Sequence, residues 1–146
     1  MKSIINNKKA YFSYNILEKY TAGIKLKGSE VKSIRKGKVS ISEAYCFISN
    51  GEIFIKGMHI SEYKDGDKYN NHQPLRDKKL LLNKKEILKL NEKISQKGLT
   101  LVPLELILTS TGFIKLEIGL AQGKNLYDKR HSIKQKDLKR ELDRNI

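Results

Sequence analysis

Apolar residues recur along this chain mainly with a period of two, and that alternation predicts a body built of β-strands. Residues 44–49 and 52–56 read as the two arms of a hairpin, because both residues of the intervening Asn50-Gly51 turn tolerate positive φ. A second hairpin is predicted from 99–108 and 113–120 around Thr109-Ser110-Thr111-Gly112. In its return arm Ile114, Leu116, Ile118 and Leu120 face one way and Lys115 and Glu117 the other, while Val102, Leu104, Leu106 and Leu108 alternate likewise in the outgoing arm. Pro103 has no N–H and is expected at an edge or a bulge. Residues 8–14 and 18–27, rich in Tyr, Phe and Ile, read as two further strands. About five or six short antiparallel strands in so small a chain close best as a barrel. Two stretches carry helical spacing instead. Residues 29–36 form a short helix with Ser29 as N-cap, Val31 and Ile34 inward and Gly37 as the stop. Residues 84–97 follow Asn83 as cap, with Glu86 three positions on and Leu82 placed to staple to Ile87. Their apolar face is Ile87, Leu90 and Ile94, joined by Leu88, and Gly98 ends the helix.

Charge changes the picture more than composition does. The 146 residues carry 30 Lys+Arg against 16 Asp+Glu, a net +14 with His neutral, which points to a polyanionic partner, nucleic acid ahead of an anionic membrane surface. The length suits one domain. A single cysteine, Cys46, cannot form an internal disulfide and favours a reducing compartment. Residues 1–10 lack an apolar core for a secretory signal, and no apolar run approaches the roughly 20 residues that cross a bilayer. The expectation is a cytoplasmic, strongly basic protein. Its charge is uneven: residues 1–122 carry 22 basic and 12 acidic groups, and residues 123–146 carry 8 and 4 within 24 positions. In the latter segment Ser132 and Gln135 can form a capping box, and Leu138, Leu142 and Ile146 fall in one narrow sector with Ile133 well away. An isolated helix of about 12–15 residues is marginal. Residues 123–146 are therefore expected to be a basic tail, disordered when free and helical against an anionic wall. On residues alone no specific role attaches to it.

Little in the chain points to catalysis. His59, His72 and His131 have no Cys or His partner at metal-ligand spacing, and Cys46 alternates within a strand as a core residue does. Gly119–Gly123-Lys124 resembles a phosphate loop only loosely; it is one residue short and ends in Asn125. No enzyme activity, metal or cofactor is expected. The basic residues are better organised. Lys8-Lys9 precede Tyr11, Phe12 and Tyr14; Lys32, Arg35, Lys36 and Lys38 surround the short helix; Asn70-Asn71-His72-Gln73-Pro74-Leu75-Arg76 leads into Lys78-Lys79. Cations contact phosphates, while Asn, Gln, His and aromatic rings hydrogen-bond to or stack on exposed bases, a combination that suits structured RNA with unpaired loops. Core packing is the alternative for each aromatic, and Phe12, Phe47 and Phe54 are expected in the core; ordinary turn chemistry is the alternative for the Asn-rich loop.

A run of short motifs extends this reading. N-K-K-A at 7–10 is followed by Y-x-I at 14–16 and G-S-E-V-K-S-I-R-x-G-K at 28–38. G-E-I-F-I stands at 51–55, M-H-I at 58–60, N-H-x-P-x-R at 71–76 and K-L-L-L-x-K-x-E-I at 79–87. K-G-L-T-L-V-P-L follows at 97–104 and L-A-x-G-K-x-L-Y-D-K-R at 120–130. In this order and spacing they resemble the SsrA-binding protein (small protein B) family over essentially the whole chain.

The resemblance implies a mainly β fold, an OB-like closed antiparallel barrel with accessory short helices and a basic C-terminal tail. It implies no catalysis, no cofactor and no membrane partner, and a monomer that binds transfer-messenger RNA and the stalled ribosome through small-subunit rRNA. The body, 1–122, would bind the tRNA-like domain on its D-loop side. The tail, 123–146, would probe the empty mRNA channel and the decoding centre, so that the rescued peptide is tagged by trans-translation. By matching position the transfer-messenger RNA face would comprise Asn7, Lys8, Lys9, Glu30, Lys32, Arg35, His59, Asn71, His72, Arg76 and Lys79. The ribosomal set would be Gly123, Lys124, Tyr127, Asp128, Lys129, Arg130, Lys134, Lys136, Lys139, Arg140 and Arg144. The chain departs from the family pattern at Ser13, where an acid is usual, at Asn83, where His is common, and at Lys78, where Arg is common. It also lacks a proline before Tyr63. Lys78 keeps the charge but not the planar fork of Arg. The alternative is an OB-type RNA-binding or ribosome-associated module without transfer-messenger RNA specificity.

Overall fold

The computed structural model describes residues 2–63 and 71–124. Its first half runs β1 (Lys2–Asn6), α1 (Lys8–Ser13), β2 (Tyr14–Ile24), α2 (Gly28–Arg35), β3 (Val39–Ser40), β4 (Tyr45–Ser49) and β5 (Glu52–Lys56). β6 (His59–Ile60), β7 (Lys78–Leu81), α3 (Lys84–Lys97), β8 (Thr100–Leu108) and β9 (Ile114–Gly123) complete it. The fold is mainly β and antiparallel, as the alternation predicts. Pairing passes from β8 to β4, β5, β7, β2 and β9, and β9 pairs with β8 again, so six strands run full circle. Two seams in this circle are thin: β4 meets β8 only at Cys46 opposite Leu101, and β2 meets β7 only at Gly23 and Ile24. β1 lies along the remaining length of β8, and β3 pairs with β6 apart from the main sheet.

The inward row of β9, Ile114, Leu116, Ile118 and Leu120, is buried with Ile53, Ile55, Leu80 and Ala22 from its neighbours. Ile34 of α2 and Ile87 and Leu90 of α3 close onto the same core. β8 behaves differently from a simple alternating strand. A register shift between Pro103 and Glu105 turns it over, so Leu101 and Leu106 join the main core while Val102 and Leu104 pack with Ala10 and Ala121 on the other side. The proline thus sits at a bulge, as its missing N–H requires. Gly119 lies directly beneath this second cluster. A Cβ there would come within 2.9 Å of Leu104 Cδ1 and 3.1 Å of Ile16 Cγ2, so its glycine serves packing and not a phosphate loop.

Several local expectations are corrected. Residues 8–13 are helical rather than extended: Asn7 Oδ1 accepts from the Ala10 N–H at 3.2 Å, and Ala10 is buried in the second cluster, which together outweigh the strand preference of Tyr11 and Phe12. β2 accordingly starts at Tyr14 and ends at Ile24. α2 starts at Gly28 with Lys27 in the cap position, because the Ser29 hydroxyl is engaged with His72 Nδ1 at 2.8 Å and the Glu30 carboxylate takes the Lys27 N–H instead. α3 matches its signals closely: Asn83 Oδ1 accepts from the Glu86 N–H at 2.8 Å, and Gly98 ends the helix at φ 61°. Leu88, however, points outward and is exposed. Lys93 ties α3 to β2 through both oxygens of Glu18, at 2.7 and 2.8 Å. The expected tail helix from Ser132 lies outside the described residues.

Gly57 follows β5 at φ 82°, and a Cβ there would stand 2.9 Å from the backbone oxygen of Glu43. Gly57→Ala combines left-handed strain with a clash against backbone, and it should cost at least about 1–2 kcal/mol. The expected result is a lower urea midpoint with an unchanged denaturant slope; an unchanged midpoint would contradict it.

Candidate nucleic-acid interface

α2 carries its carboxylate inward. Glu30 is fully buried, with Oε1 accepting from the Lys27 N–H at 2.7 Å and from Arg76 Nη2 at 2.6 Å, and Oε2 from Arg76 Nε at 3.3 Å. Lys78, also without exposure, places Nζ 3.9 Å from Glu30 Oε2 and donates to the carbonyls of Met58 at 3.0 Å and Arg76 at 2.6 Å. Arg76 extends from this pocket to donate to the Lys25 carbonyl at 3.4 Å. Burial alone would raise the Glu30 carboxyl pKa. The hydrogen bonds from Arg76 and the Lys27 N–H, with the charges of Arg76 and Lys78, outweigh it and hold the pKa below its usual value. Burial dominates at Lys78 and lowers its pKa, and the Arg76 charge lowers it further against the opposing pull of Glu30 and Asp77. Lys78 is therefore a core residue in this chain and offers no ammonium to a partner.

His72 is buried beside this cluster. Because a carbonyl only accepts, its Nε2 donates to Ile60 O at 2.9 Å, while Nδ1 meets the Ser29 hydroxyl at 2.8 Å. Asn71 holds the backbone of Tyr63, accepting from its N–H at 3.0 Å and donating to its carbonyl at 2.9 Å. Tyr63 in turn underlies two ammonium groups of α2 and its cap, Lys32 Nζ at 5.4 Å and Lys36 Nζ at 4.9 Å from the ring centroid. Lys32 and Arg35 are exposed on the same short helix, and Arg35 reaches the Gly112 carbonyl at 3.3 Å. His59 is exposed on β6, and Lys79 on β7 lies 3.6 Å from Glu52 on β5.

The remaining expected residues gather elsewhere. Asn7 is buried and architectural: its Nδ2 donates to Pro103 O at 2.8 Å and its backbone N–H to Leu104 O at 2.8 Å, stitching α1 to the β8 bulge. Lys8 is exposed, and Lys9 pairs with Glu43 at 2.6 Å on the surface. A cleft of about 420 Å³ brings Asn7 and Lys9 together with Tyr14, Tyr45, Gly123 and Lys124. Thus two members of the ribosomal set stand beside two of the transfer-messenger RNA set. Tyr127, Asp128, Lys129, Arg130, Lys134, Lys136, Lys139, Arg140 and Arg144 lie outside the described residues. Tyr63 and Lys36 were not among the expected site residues: Lys36 stood out only as one of the cations around the short helix, and Tyr63, 27 positions further on, has no local signal that joins it to them.

Cys46 is buried in the core, where desolvation raises its thiol pKa, and among the described residues no His, Cys, Asp and Glu group could hold a metal ion. Nor is any described helix long and apolar enough to cross a membrane. What the surface does offer is a cluster of cations on α2 and around Arg76, held by buried polar groups.

Comparison with known proteins settles the family. The family model described as "SmpB protein" matches residues 4–146. The chain belongs to the SmpB family. Among SmpB relatives, a protein of Cytophaga hutchinsonii named "SsrA-binding protein" is 56% identical over 140 residues, covering 96% of this chain and 91% of its own. One of the same name from Phocaeicola vulgatus is 51% identical, covering 96% and 93%. A solved structure described as "tmRNA-SmpB: a journey to the center of the bacterial ribosome" is 42% identical at a TM-score of 0.69, covering 88% of this chain and 93% of that one.

In this SmpB chain the Glu30 cluster makes a pH-dependent contribution with a definite sign. A carboxylate whose folded pKa lies below its unfolded one adds stability above the unfolded value, near 4.5, and loses it as pH falls through the folded value. Glu30→Gln should therefore flatten the fall in urea midpoint between pH 5 and the acid limit. Glu30→Ala should cost about 3–5 kcal/mol at pH 7, because it strands Lys78 and Arg76. An acid limb as steep in Glu30→Gln as in the parent would place the responsible carboxylate elsewhere.

Proposed function

We propose that the protein binds the tRNA-like domain of transfer-messenger RNA and delivers it to stalled ribosomes for trans-translation, acting in the cytoplasm as a binding protein and not as an enzyme. The observation that carries this reading is the match over nearly the full chain to relatives named for SsrA binding. The similar solved structure, described by the pair tmRNA and SmpB in the bacterial ribosome, supports the same partner.

Differences in exposure support a division of labour within the proposed face. Lys32, Arg35, His59, Arg76 and Lys79 present polar groups at least partly to solvent and are suited to phosphate and base contacts. Glu30 and His72 are buried and act by fixing α2 against β6 and β7. Asn7 fixes α1 in the same indirect way, leaving Lys8 and Lys9 on the surface. In this reading residues 1–122 are the RNA-binding body. Residues 123–146, which include Gly123, Lys124, the Tyr127-Asp128-Lys129-Arg130 run and five later cations, contact the decoding centre and mRNA channel.

Filter binding to a tRNA-like domain in the presence of excess unrelated tRNA tests the partner. Binding that survives the competitor is expected, and equal competition would favour a module without transfer-messenger RNA specificity. Truncation after Tyr127 should leave that binding largely intact and abolish peptide tagging on a stalled translation complex. Normal tagging by the truncated chain would overturn the role given to the tail.

A further inference from the structure

Lys32 and Lys36 stand four apart along α2 and its cap, a spacing that sets two positive charges on one helix face and disfavours the helix when nothing intervenes. The structure gathers them rather than splaying them. Both Nζ atoms lie over the ring of Tyr63, at 5.4 and 4.9 Å, where the negative face of the π-system offsets part of their repulsion. The backbone that carries the ring is held in place. Asn71 holds both backbone polar groups of Tyr63, and its Oδ1 also accepts from the His72 N–H at 3.2 Å. His72 is itself pinned between Ser29 on α2 and Ile60 on β6. The links close a circuit: α2 holds His72, His72 and Asn71 hold Tyr63, and Tyr63 gathers the two lysines of α2.

We propose that Lys32 and Lys36 form a single phosphate-binding point for the RNA backbone, with Tyr63 as its positioning residue and Asn71 as its brace. Two ammonium groups drawn to one ring suit one phosphate, whose several oxygens can accept from both. The ring is half-buried and engaged by the lysines, so a base stacked on it is disfavoured as the ligand. The proposal rests on the RNA-binding reading and adds to it Tyr63, Lys36 and a role for Asn71 other than direct contact.

The test is a double-mutant cycle on the full chain, with a tRNA-like domain RNA as the probe and affinity measured over a series of salt concentrations. K32M/K36M should reduce the slope of log affinity against log salt by about one, the value for one lost phosphate contact, whereas a fall of about two would mean two separate phosphates and overturn the single point. Y63L should weaken binding about three- to tenfold at low salt, yet change it less than about twofold in the K32M/K36M background. Y63F, which keeps the ring, should bind as the parent does. Should Y63L melt early, the salt slope of K32M/K36M still decides, since both positions are exposed. An unchanged slope in K32M/K36M, or a full Y63L loss in the lysine-free background, would overturn the proposal. Failure of the parent to prefer the tRNA-like RNA over unrelated tRNA would instead overturn the choice of partner, while leaving the slope result to stand for a phosphate site.

Discussion

A carboxylate taken out of water must be met by positive charge and hydrogen-bond donors, and Glu30 draws three separate stretches of the chain, around residues 25–30, 58 and 76–78, together to meet it. The Lys27 N–H comes from the approach to α2, the Arg76 guanidinium from the segment before β7, and the Lys78 ammonium from β7 itself. Lys78 in turn requires the Met58 carbonyl, and Arg76 the Lys25 carbonyl. Desolvating these groups is expensive, and the cost is recovered only when all partners are in place. The cluster therefore acts less as a source of net stability than as a condition on geometry: α2 has one seat against β6 and β7.

That seat explains how a largely polar surface can be preorganised without a deep pocket. The outward cations of α2, Lys32 and Arg35, start from a helix anchored by Glu30 and Ile34 on its buried side. His72 adds a second anchor through Ser29. Arg76 belongs to both populations, with its Nε and Nη2 inward on Glu30 and part of its side chain exposed. Lys78 faces wholly inward: at this position a single ammonium satisfied by two carbonyls serves the core, and no charge is presented outward.

Elements whose signals are local were legible from residues alone. The Asn50-Gly51 hairpin and the α3 caps at Asn83 and Gly98 depend on turn and capping chemistry within a few positions, and they form where that chemistry places them. α1 was illegible because Tyr11 and Phe12 favour a strand, whereas its helix depends on Ala10 packing against Leu104, far along the chain. β7 was hidden by Lys78, a charged residue at an inward position, whose burial makes sense only once Glu30 faces it. β3 and β6, two residues each, are too short for any period to register. The site divides the same way. Lys32 and Arg35 announce a basic helix in the sequence, but nothing local tells that Glu30, His72 and Asn7 point inward, or that Tyr63 returns beneath Lys32 and Lys36.

We propose that the face organised by Glu30 is the surface that meets the tRNA-like RNA. Amide hydrogen exchange on the full chain, with and without that RNA, tests it most directly. Added protection is expected to concentrate in residues 28–38, 59–63 and 71–79, with the outer faces of β8 and α3 unchanged. Protection confined to β8 or α3, with 28–38 exchanging as in the free protein, would contradict it.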